Sequence, residues 1–393
     1  MNREALAFFA RPEGRTLLQQ AAESDFSPNA QQVLRRTYPD ALCRAALLLA
    51  DLRRRAAGKF ARADALFFDR PGLEMASGEA VATHRARRFA AYDSVLDLCC
   101  GIGGDLMALA RNCRVIGVDL DLDRLRMARR NAEVLGLRGV GLVQAEALGV
   151  HLRADAVFVD PARRSGAVRS RHGRAYSPSL EALLALRQRV PALGLKISPA
   201  IDEKELPTDG EVEFVSYNGQ CREGALYFGD LATASRRATV LEAVPGSDTH
   251  RARAHSLVRD AGPAVETAPP GAVLYDPDPA VVRAHLIDEL ARRLDAWKLD
   301  PRIAYLSGDT LQSTPFARAL PVIAHMPFQL KRLRRFLREG DWRVDEIKKR
   351  GFPLEPEELR RRLGHQGGGR GVSLVATRLG QKPVVFICEK SPH

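Results

Sequence analysis

Three aspartates sit on or just beyond short apolar runs: Asp97 within Val95 to Leu98, Asp119 after Val115 to Val118, and Asp160 after Ala156 to Val159. Short aliphatic and β-branched runs bounded by polar turns predict buried strands of a parallel sheet. Ligands of such sheets bind outside the carboxyl ends of the strands, so the three carboxylates are expected on one edge. An ionised carboxylate there only accepts hydrogen bonds, which suits ammonium groups, ribose diols and amines. Asp160 leads directly into Pro161, Ala162, Arg163 and Arg164, a carboxylate followed by a turn and then by cations.

Between the first two runs lies CCGIGGD, where Gly101, Gly103 and Gly104 remove the side chains that would keep a ligand off the backbone. A dinucleotide fingerprint would place a third glycine at position 106 to seat a pyrophosphate on the helix N-terminus. Leu106 occupies that position, which disfavours NAD. VLDLCCGIGGD, VIGVDLD and VFVDPARR, in this order and at this spacing, resemble instead the class I S-adenosylmethionine-dependent methyltransferases, whose loop cradles a methionine sulfonium group. The resemblance implies an α/β fold with a Rossmann-like sheet and S-adenosylmethionine as cofactor. It implies that Asp97 and the backbone from Gly101 to Gly103, with Cys99 alongside, hold the methionine part. Asp119 and Leu120 would then meet the ribose, and Glu146 and Ala147, in GLVQAEALGV, the adenine. Cys99 and Cys100 also read as small packing residues beside the loop.

In amino-group methyltransferases the motif related to Asp160 is an acid or amide, two prolines and an aromatic. The polar side chain and a proline carbonyl accept the amine's hydrogen bonds, and the aromatic stacks on the base. Here Ala162 replaces the second proline and Arg163 the aromatic, so stacking is expected from Arg163, Tyr176, Phe67 or Phe68. Asp160 also fits a simpler role, capping the following turn. The Asp-Pro-Ala-Arg string is similar to the Asp-Pro-Pro-Arg of uracil-C5 methyltransferases, which need a cysteine nucleophile. Where that cysteine would stand the chain reads Lys196, Ile197, Ser198, Pro199, and Cys221 lies on a later turn. Nitrogen methylation is therefore expected, with a catalytic set of Asp160, Pro161, Arg163 and Ser198. Arg164, Arg169 and Arg171 would attract flanking phosphates, and a base embedded in a duplex would have to flip out.

The elements needed to position these residues are legible. The 393 residues suffice for two or three domains. Residues 1–89 read as a helical region, with Pro28 and Pro39 as breaks and a helix over 74–90. Residues 90–245 read as the methyltransferase domain, in which Asp121 caps a helix with Leu122, Leu125, Ala128, Ala132 and Leu135 on one stripe. Residues 246–270, rich in Pro, Gly, Ser, His and Arg, read as a linker. No stretch of about 18 apolar residues is present, and MNREALAFFARPEGR lacks a signal pattern, so a cytoplasmic protein is expected, without a membrane partner. Six cysteines occur without a CxxC pair, which argues against a disulfide framework and a zinc site. No motif marks an oligomer interface.

The formal net charge is +12. It signals attraction to a polyanion such as nucleic acid, or the arginine bias of a GC-rich genome. Lys331 to Lys390 holds sixteen Lys or Arg against eight Asp or Glu, so the excess is concentrated late in the chain. There KRLRRFLREG has Leu330, Leu333, Phe336 and Leu337 at helical spacing with arginines opposite. Glu355 and Pro356 open the helix EPEELRRRLG, which Gly364 closes. The set DPARR, KISP, SYNGQCREGALYFG, LYDPDPAVVRAHL and EIKKRGFPLEPEELRRRLG resembles bacterial methyltransferases with a C-terminal THUMP-like domain, here 329–393, preceded by a ferredoxin-like region, here 271–328. THUMP domains bind structured RNA, so the resemblance implies RNA contacts, for which Lys348, Lys349 and Arg350 are the candidates, with the loop Gly367 to Gly371 nearby. The expected activity is methylation of a purine nitrogen in tRNA or rRNA. The alternatives are a small-molecule or protein methyltransferase, or an RNA-binding protein that keeps the cofactor fold without turnover.

Overall fold

The computed structural model describes residues 1–150, 153–163, 176–246, 251–364 and 368–390. The chain divides into two units, one of residues 1–218, 222–235 and 241–254, the other of residues 219–221, 236–240 and 255–393.

The first unit begins with helices α1 (Arg3–Phe9), α2 (Pro12–Glu23), α3 (Pro28–Arg35) and α4 (Asp40–Ala56). Their starts follow from local chemistry. Asn2 and Ser27 accept hydrogen bonds from the amides of Ala5 and Ala30, and Pro12 and Pro28 open α2 and α3. The helix expected over 74–90 is broken. Helix α5 (Arg70–Met75) ends, Ala76 and Gly78 turn extended, and α6 (Glu79–Ala86) starts afresh. The break turns the Ser77 hydroxyl into a buried polar cluster, which a continuous helix could not do.

The sheet of this unit contains β1 (Ser94–Leu98), β2 (Arg114–Asp119), β3 (Val140–Gln144) and β4 (Ala156–Val159). The short strands β5 (Ala162–Arg163) and β6 (Tyr176–Ser177) pair with each other, away from it. Strands β7 (Leu193–Ile197), β8 (Glu211–Tyr217), β9 (Gln220–Phe228), β10 (Arg236–Ala243) and β11 (Ala252–Val258) complete the order β11-β10-β8-β9-β7-β4-β1-β2-β3. Strands β3, β2, β1, β4 and β7 are parallel and β9 is antiparallel to β7. The register puts Asp97 beside Gly117 and Phe158, and the order reverses at β1, the switch point where ligands bind. Strand β11 runs through the segment 246–270 that composition reads as a linker, which is a correction. The alternation in ARAHSLV suits a partly exposed strand despite the surrounding Pro and Gly.

Helices α7 (Gly104–Leu109) and α8 (Leu122–Val134) follow β1 and β2, and the short α9 (Leu180–Leu184) lies between β6 and β7 in the chain. Gly103 caps α7 at φ +91°, a conformation that costs other residues free energy, and Asp121 caps α8 as its sequence predicts. The N-terminal helices pack on these two through Ile102, Met107 and Met127. Asn131 of α8 is fully buried. It accepts from the Phe67 amide at 2.7 Å and donates to the carbonyls of Phe67 and Ile102 at 3.1 and 3.0 Å. One amide side chain thus ties the glycine loop to the N-terminal region.

The second unit holds β12 (Val273–Pro277), β13 (Trp297–Asp300), β14 (Ile303–Gly308), β15 (Ala317–Pro327), β16 (Trp342–Lys349), β17 (Arg370–Leu379) and β18 (Lys382–Glu389), in the order β13-β14-β12-β15-β18-β17-β16. The long β15 pairs with β12 through Ala317–Pro321 and with β18 through Val322–Pro327. The regions expected as 271–328 and 329–393 therefore share one sheet. Helices α10 (Pro279–Arg283) and α11 (Ile287–Arg293) follow β12, while α12 (Leu330–Glu339) and α13 (Pro356–Leu363) bury Leu333, Leu337, Leu359 and Leu363 in a core with Val372, Leu374, Val385 and Ile387.

Replacing Asn131 by Leu would leave the Phe67 amide and two carbonyls buried without partners. At about 1–3 kcal/mol for each unsatisfied group, partial relaxation leaves an expected loss of about 2–4 kcal/mol, measured by urea unfolding.

Candidate active site

A cavity of about 910 Å³ opens at the carboxyl edge of the first sheet. It is lined by Asp97, Cys99, Gly101, Asp119, Leu120, Glu146, Ala147, Asp160 and Pro161, so every residue expected at the cofactor apart from Gly103 reaches it directly. Gly103 acts one position back, as the left-handed cap that turns the loop into α7. A side chain at Gly101 would project into open space, and the loop thereby presents bare backbone to the cavity. Lys59, Met75, Ala76 and residues 78–81 of the N-terminal region form another wall.

Each carboxylate has a distinct environment. Asp119 accepts from the amides of Gly101 and Asp121 at 2.8 and 2.9 Å, which fixes its orientation at the end of β2. Glu146 accepts from the Gly149 amide at 2.8 Å and caps the turn after β3. Asp97 is fully buried, and neither of its oxygens has a hydrogen-bond partner. Burial, and then the charges of Asp105 and Asp160, push its carboxyl well above the usual range. Burying a carboxylate without a partner is costly, and Asp97 therefore presents an acceptor that a bound donor must complete. An ammonium group such as that of methionine is such a donor, and the bare glycine loop beside it leaves room. Cys99, at φ +61°, has its thiol pushed up to about 12 by burial and is a neutral wall rather than a nucleophile.

Asp160 does not stand alone. Its Oδ2 accepts from Lys196 Nζ at 2.8 Å; Lys196 also donates to Ser77 Oγ at 2.9 Å and lies 3.7 Å from Glu223. Arg85 bonds Asp105 and Glu223, and Ser77 donates to Asp105 at 2.8 Å. Burial lowers the Lys196 pKa, but Asp160 and Glu223 together raise it above the ordinary value. Burial would likewise raise Glu223, yet Lys196 and Arg85 hold it down at about 2. Asp160 is raised by burial against the pull of Lys196. The sequence reading missed Lys196, Glu223, Arg85, Asp105 and Ser77 as site residues. The available signal was a lysine between Leu195 and Ile197 on a strand that is otherwise apolar.

Other expected residues lie elsewhere. Ser198 is buried outside the cavity lining; its hydroxyl accepts from the Ala200 amide at 3.2 Å and its own amide donates to the Tyr176 hydroxyl. Phe67 and Phe68 are buried in the N-terminal core. Arg163 contributes backbone to β5, and Arg164, Arg169 and Arg171 lie outside the described residues, as does Gly367. Tyr217 is the one aromatic among the described lining residues. Among the described residues no group of three or more His, Cys, Asp or Glu is placed to hold a metal, and no helix is long and apolar enough to cross a membrane.

In the second unit, Lys348 and Arg350 both bond Asp276, and Lys349 pairs with Glu355. The cations expected to face a nucleic acid are thus engaged with acids of the same unit. Among the described residues, the exposed Lys331, Arg332 and Arg338 of α12 and Arg361 of α13 have no acidic partner.

Two curated Mycobacterium tuberculosis proteins, from strains CDC 1551 / Oshkosh and ATCC 25618 / H37Rv, are each described as an uncharacterized S-adenosylmethionine-dependent methyltransferase. Each is 39% identical to this chain over 357 residues, which is 86% of this chain and 95% of theirs. The chain belongs to the S-adenosylmethionine-dependent methyltransferases. Residues 95–161 of this methyltransferase match the Methyltransferase domain family and residues 317–390 the THUMP domain-like family. The crystal structure of a protein from Porphyromonas gingivalis W83, designated a methyltransferase, has the same fold, with a TM-score of 0.78 at 22% identity over 100% of this chain and 99% of that one.

Asp97→Asn is expected to weaken binding of S-adenosylmethionine or S-adenosylhomocysteine about tenfold to hundredfold, the loss of one charge-assisted hydrogen bond, measured by calorimetry. The free protein should respond in the opposite direction. An acid with a raised folded pKa keeps its proton where the unfolded chain has lost it, so it withdraws stability as pH rises from about 4 through the folded value. Asp97→Asn removes that loss, and the variant without cofactor should be more resistant to urea at neutral pH.

Proposed function

We propose that this methyltransferase is a cytoplasmic enzyme that methylates a nucleotide of a structured RNA, tRNA or rRNA. The observation that carries the reading is the presence, in one chain, of a methyl-donor cavity and of a THUMP-like fold with unpaired surface cations on α12 and α13. Such cations neutralise phosphates and release counterions without reading sequence.

S-adenosylmethionine, when bound, supplies a methyl group on a sulfonium that leaves readily. Asp97 would hold its ammonium group, Asp119 its ribose hydroxyls and Glu146 its adenine end. The task left to the protein is to place an acceptor in line with that methyl group. The turn of Asp160 and Pro161 supports a purine nitrogen, with Asp160 Oδ1 accepting the amine's hydrogen bond. Two observations favour a second reading, an oxygen acceptor: Asp160 is held by the largely buried Lys196, and Arg163 stands where the aromatic expected to stack on a base would be.

Purified protein is expected to transfer labelled methyl from S-adenosylmethionine into one size class of RNA from a strain lacking the gene. Asp160→Ala should lower that transfer at least about hundredfold and leave cofactor affinity nearly unchanged. Label only in protein or in small metabolites from the same strain would reject the RNA reading, and binding of both cofactor and RNA without transfer into any fraction would support a non-catalytic RNA-binding protein. Replacing Arg332, Arg338 and Arg361 together by Gln should reduce the slope of log affinity for that RNA against log salt by about three, read by titration at several ionic strengths.

A further inference from the structure

Nitrogen and oxygen acceptors make different demands on a site. A neutral amine attacks with its lone pair and gains positive charge in the transition state, so cations beside it are unfavourable. A hydroxyl attacks well only as its proton leaves; it needs an acceptor at the oxygen and gains from nearby cations.

Around Asp160 the cavity offers what the second case needs, an acceptor with cations beside it, within a lining whose acids otherwise outnumber its cations. Lys196, with its side chain only 12% exposed, lies between Asp160 and Glu223. A second ammonium, Lys59, lines the same cavity and donates to the Leu73 carbonyl at 2.6 Å. Burial, together with the charge of Lys196, pushes its pKa down to about 8. Arg222, exposed on the cavity lining, adds a third cation. A site for a flat base should offer an aromatic stacking face near Asp160; Arg163 holds that position in the chain, Ala162 lines the cavity beside it, and Tyr217 is the single aromatic among the described lining residues.

We propose that the methyl acceptor is a hydroxyl, the ribose 2′-hydroxyl of an RNA nucleotide, that Asp160 receives its proton, and that Lys196 is the positioning residue that holds Asp160. The proposal rests on the RNA reading above and names the atom. In the step, the hydroxyl oxygen forms a bond to the methyl carbon while the methyl–sulfur bond breaks, and sulfur keeps the electron pair as a neutral thioether. The hydroxyl proton passes to Asp160 Oδ1 and from there to solvent. Oδ1 is available because the Lys196 bond falls on Oδ2. A 2′-hydroxyl is displayed on the ribose of both helical and single-stranded RNA, so this chemistry needs no extrusion of the base.

Asp160 is surrounded by the cations Lys196, Lys59 and Arg85 and by the anions Asp97, Asp105 and Glu223. Removing Lys196 takes away the cation bonded to Asp160 and leaves Lys59 and Arg85 against Asp97, Asp105 and Glu223, so Asp160 holds its proton to higher pH and the acid limb of the pH–rate profile moves up.

The experiment digests RNA labelled by the wild-type enzyme with alkali. A 2′-O-methyl group blocks attack on the adjacent phosphate, so the expected product is label in alkali-resistant dinucleotides. Lys196→Met should lower kcat about hundredfold without changing cofactor affinity and should shift the acid limb upward, with Lys196→Arg restoring part of the rate. Label in ordinary mononucleotides, as a methylated base, overturns the hydroxyl acceptor and leaves the RNA reading standing. Label confined to protein or metabolites overturns both. A Lys196→Met enzyme with the wild-type rate and pH profile overturns the positioning role. If that variant does not fold, Lys196→Gln, which also removes the charge, takes its place, and a wild-type rate and pH profile there overturns the role, while the wild-type digest still decides the acceptor.

Discussion

Gathering the buried Arg85, Asp105 and Glu223 with the partly buried Lys196 and Asp160 at the end of a sheet is the constraint from which the rest of the first unit follows. Desolvating ions costs several kcal/mol each, and only close mutual pairing offsets it. The pairing draws its members from separate elements: Ser77 from the break between α5 and α6, Arg85 from α6, Asp105 from α7, Asp160 from the end of β4, Lys196 from β7 and Glu223 from β9. Those elements can meet only if the N-terminal helices close over the sheet edge. The N-terminal region is in this sense part of the site, and the helix expected over 74–90 gives way at Ser77 to make it so.

Against that satisfied network, Asp97 stands out as the carboxylate left without a partner. A fold tolerates an unsatisfied buried acceptor where a ligand completes it, and the raised pKa of Asp97 expresses the same cost in protons. Preorganisation and instability thus coexist a few residues apart on one edge. The loop between them stays open because Gly101 adds nothing to the space and Gly103 takes a backbone angle that few other residues accept.

In the second unit the same electrostatic accounting reorders the basic residues. Lys348, Lys349 and Arg350 form a conspicuous string in the sequence, yet Asp276 and Glu355, distant or unremarkable in sequence, neutralise them. Among the described residues, exposed arginines without an acidic partner include Arg332 and Arg338 on α12 and Arg361 on α13.

Much of the fold was legible in the sequence. Local composition and spacing determined the strands that carry Asp97, Asp119 and Asp160, the cap at Asp121, the glycine loop and the basic stripe of α12, because strands, caps and turns depend on neighbours within a few residues. Tertiary structure decided the partners. That Lys196 meets Asp160, 36 residues earlier, that Ser198 serves a turn outside the cavity, that β15 is shared between two expected modules and that β11 threads a segment composed like a linker all depend on contacts distant in sequence. A charge's neighbours, and hence its proton and its role, are properties of the packed molecule, where low dielectric makes distant residues decisive.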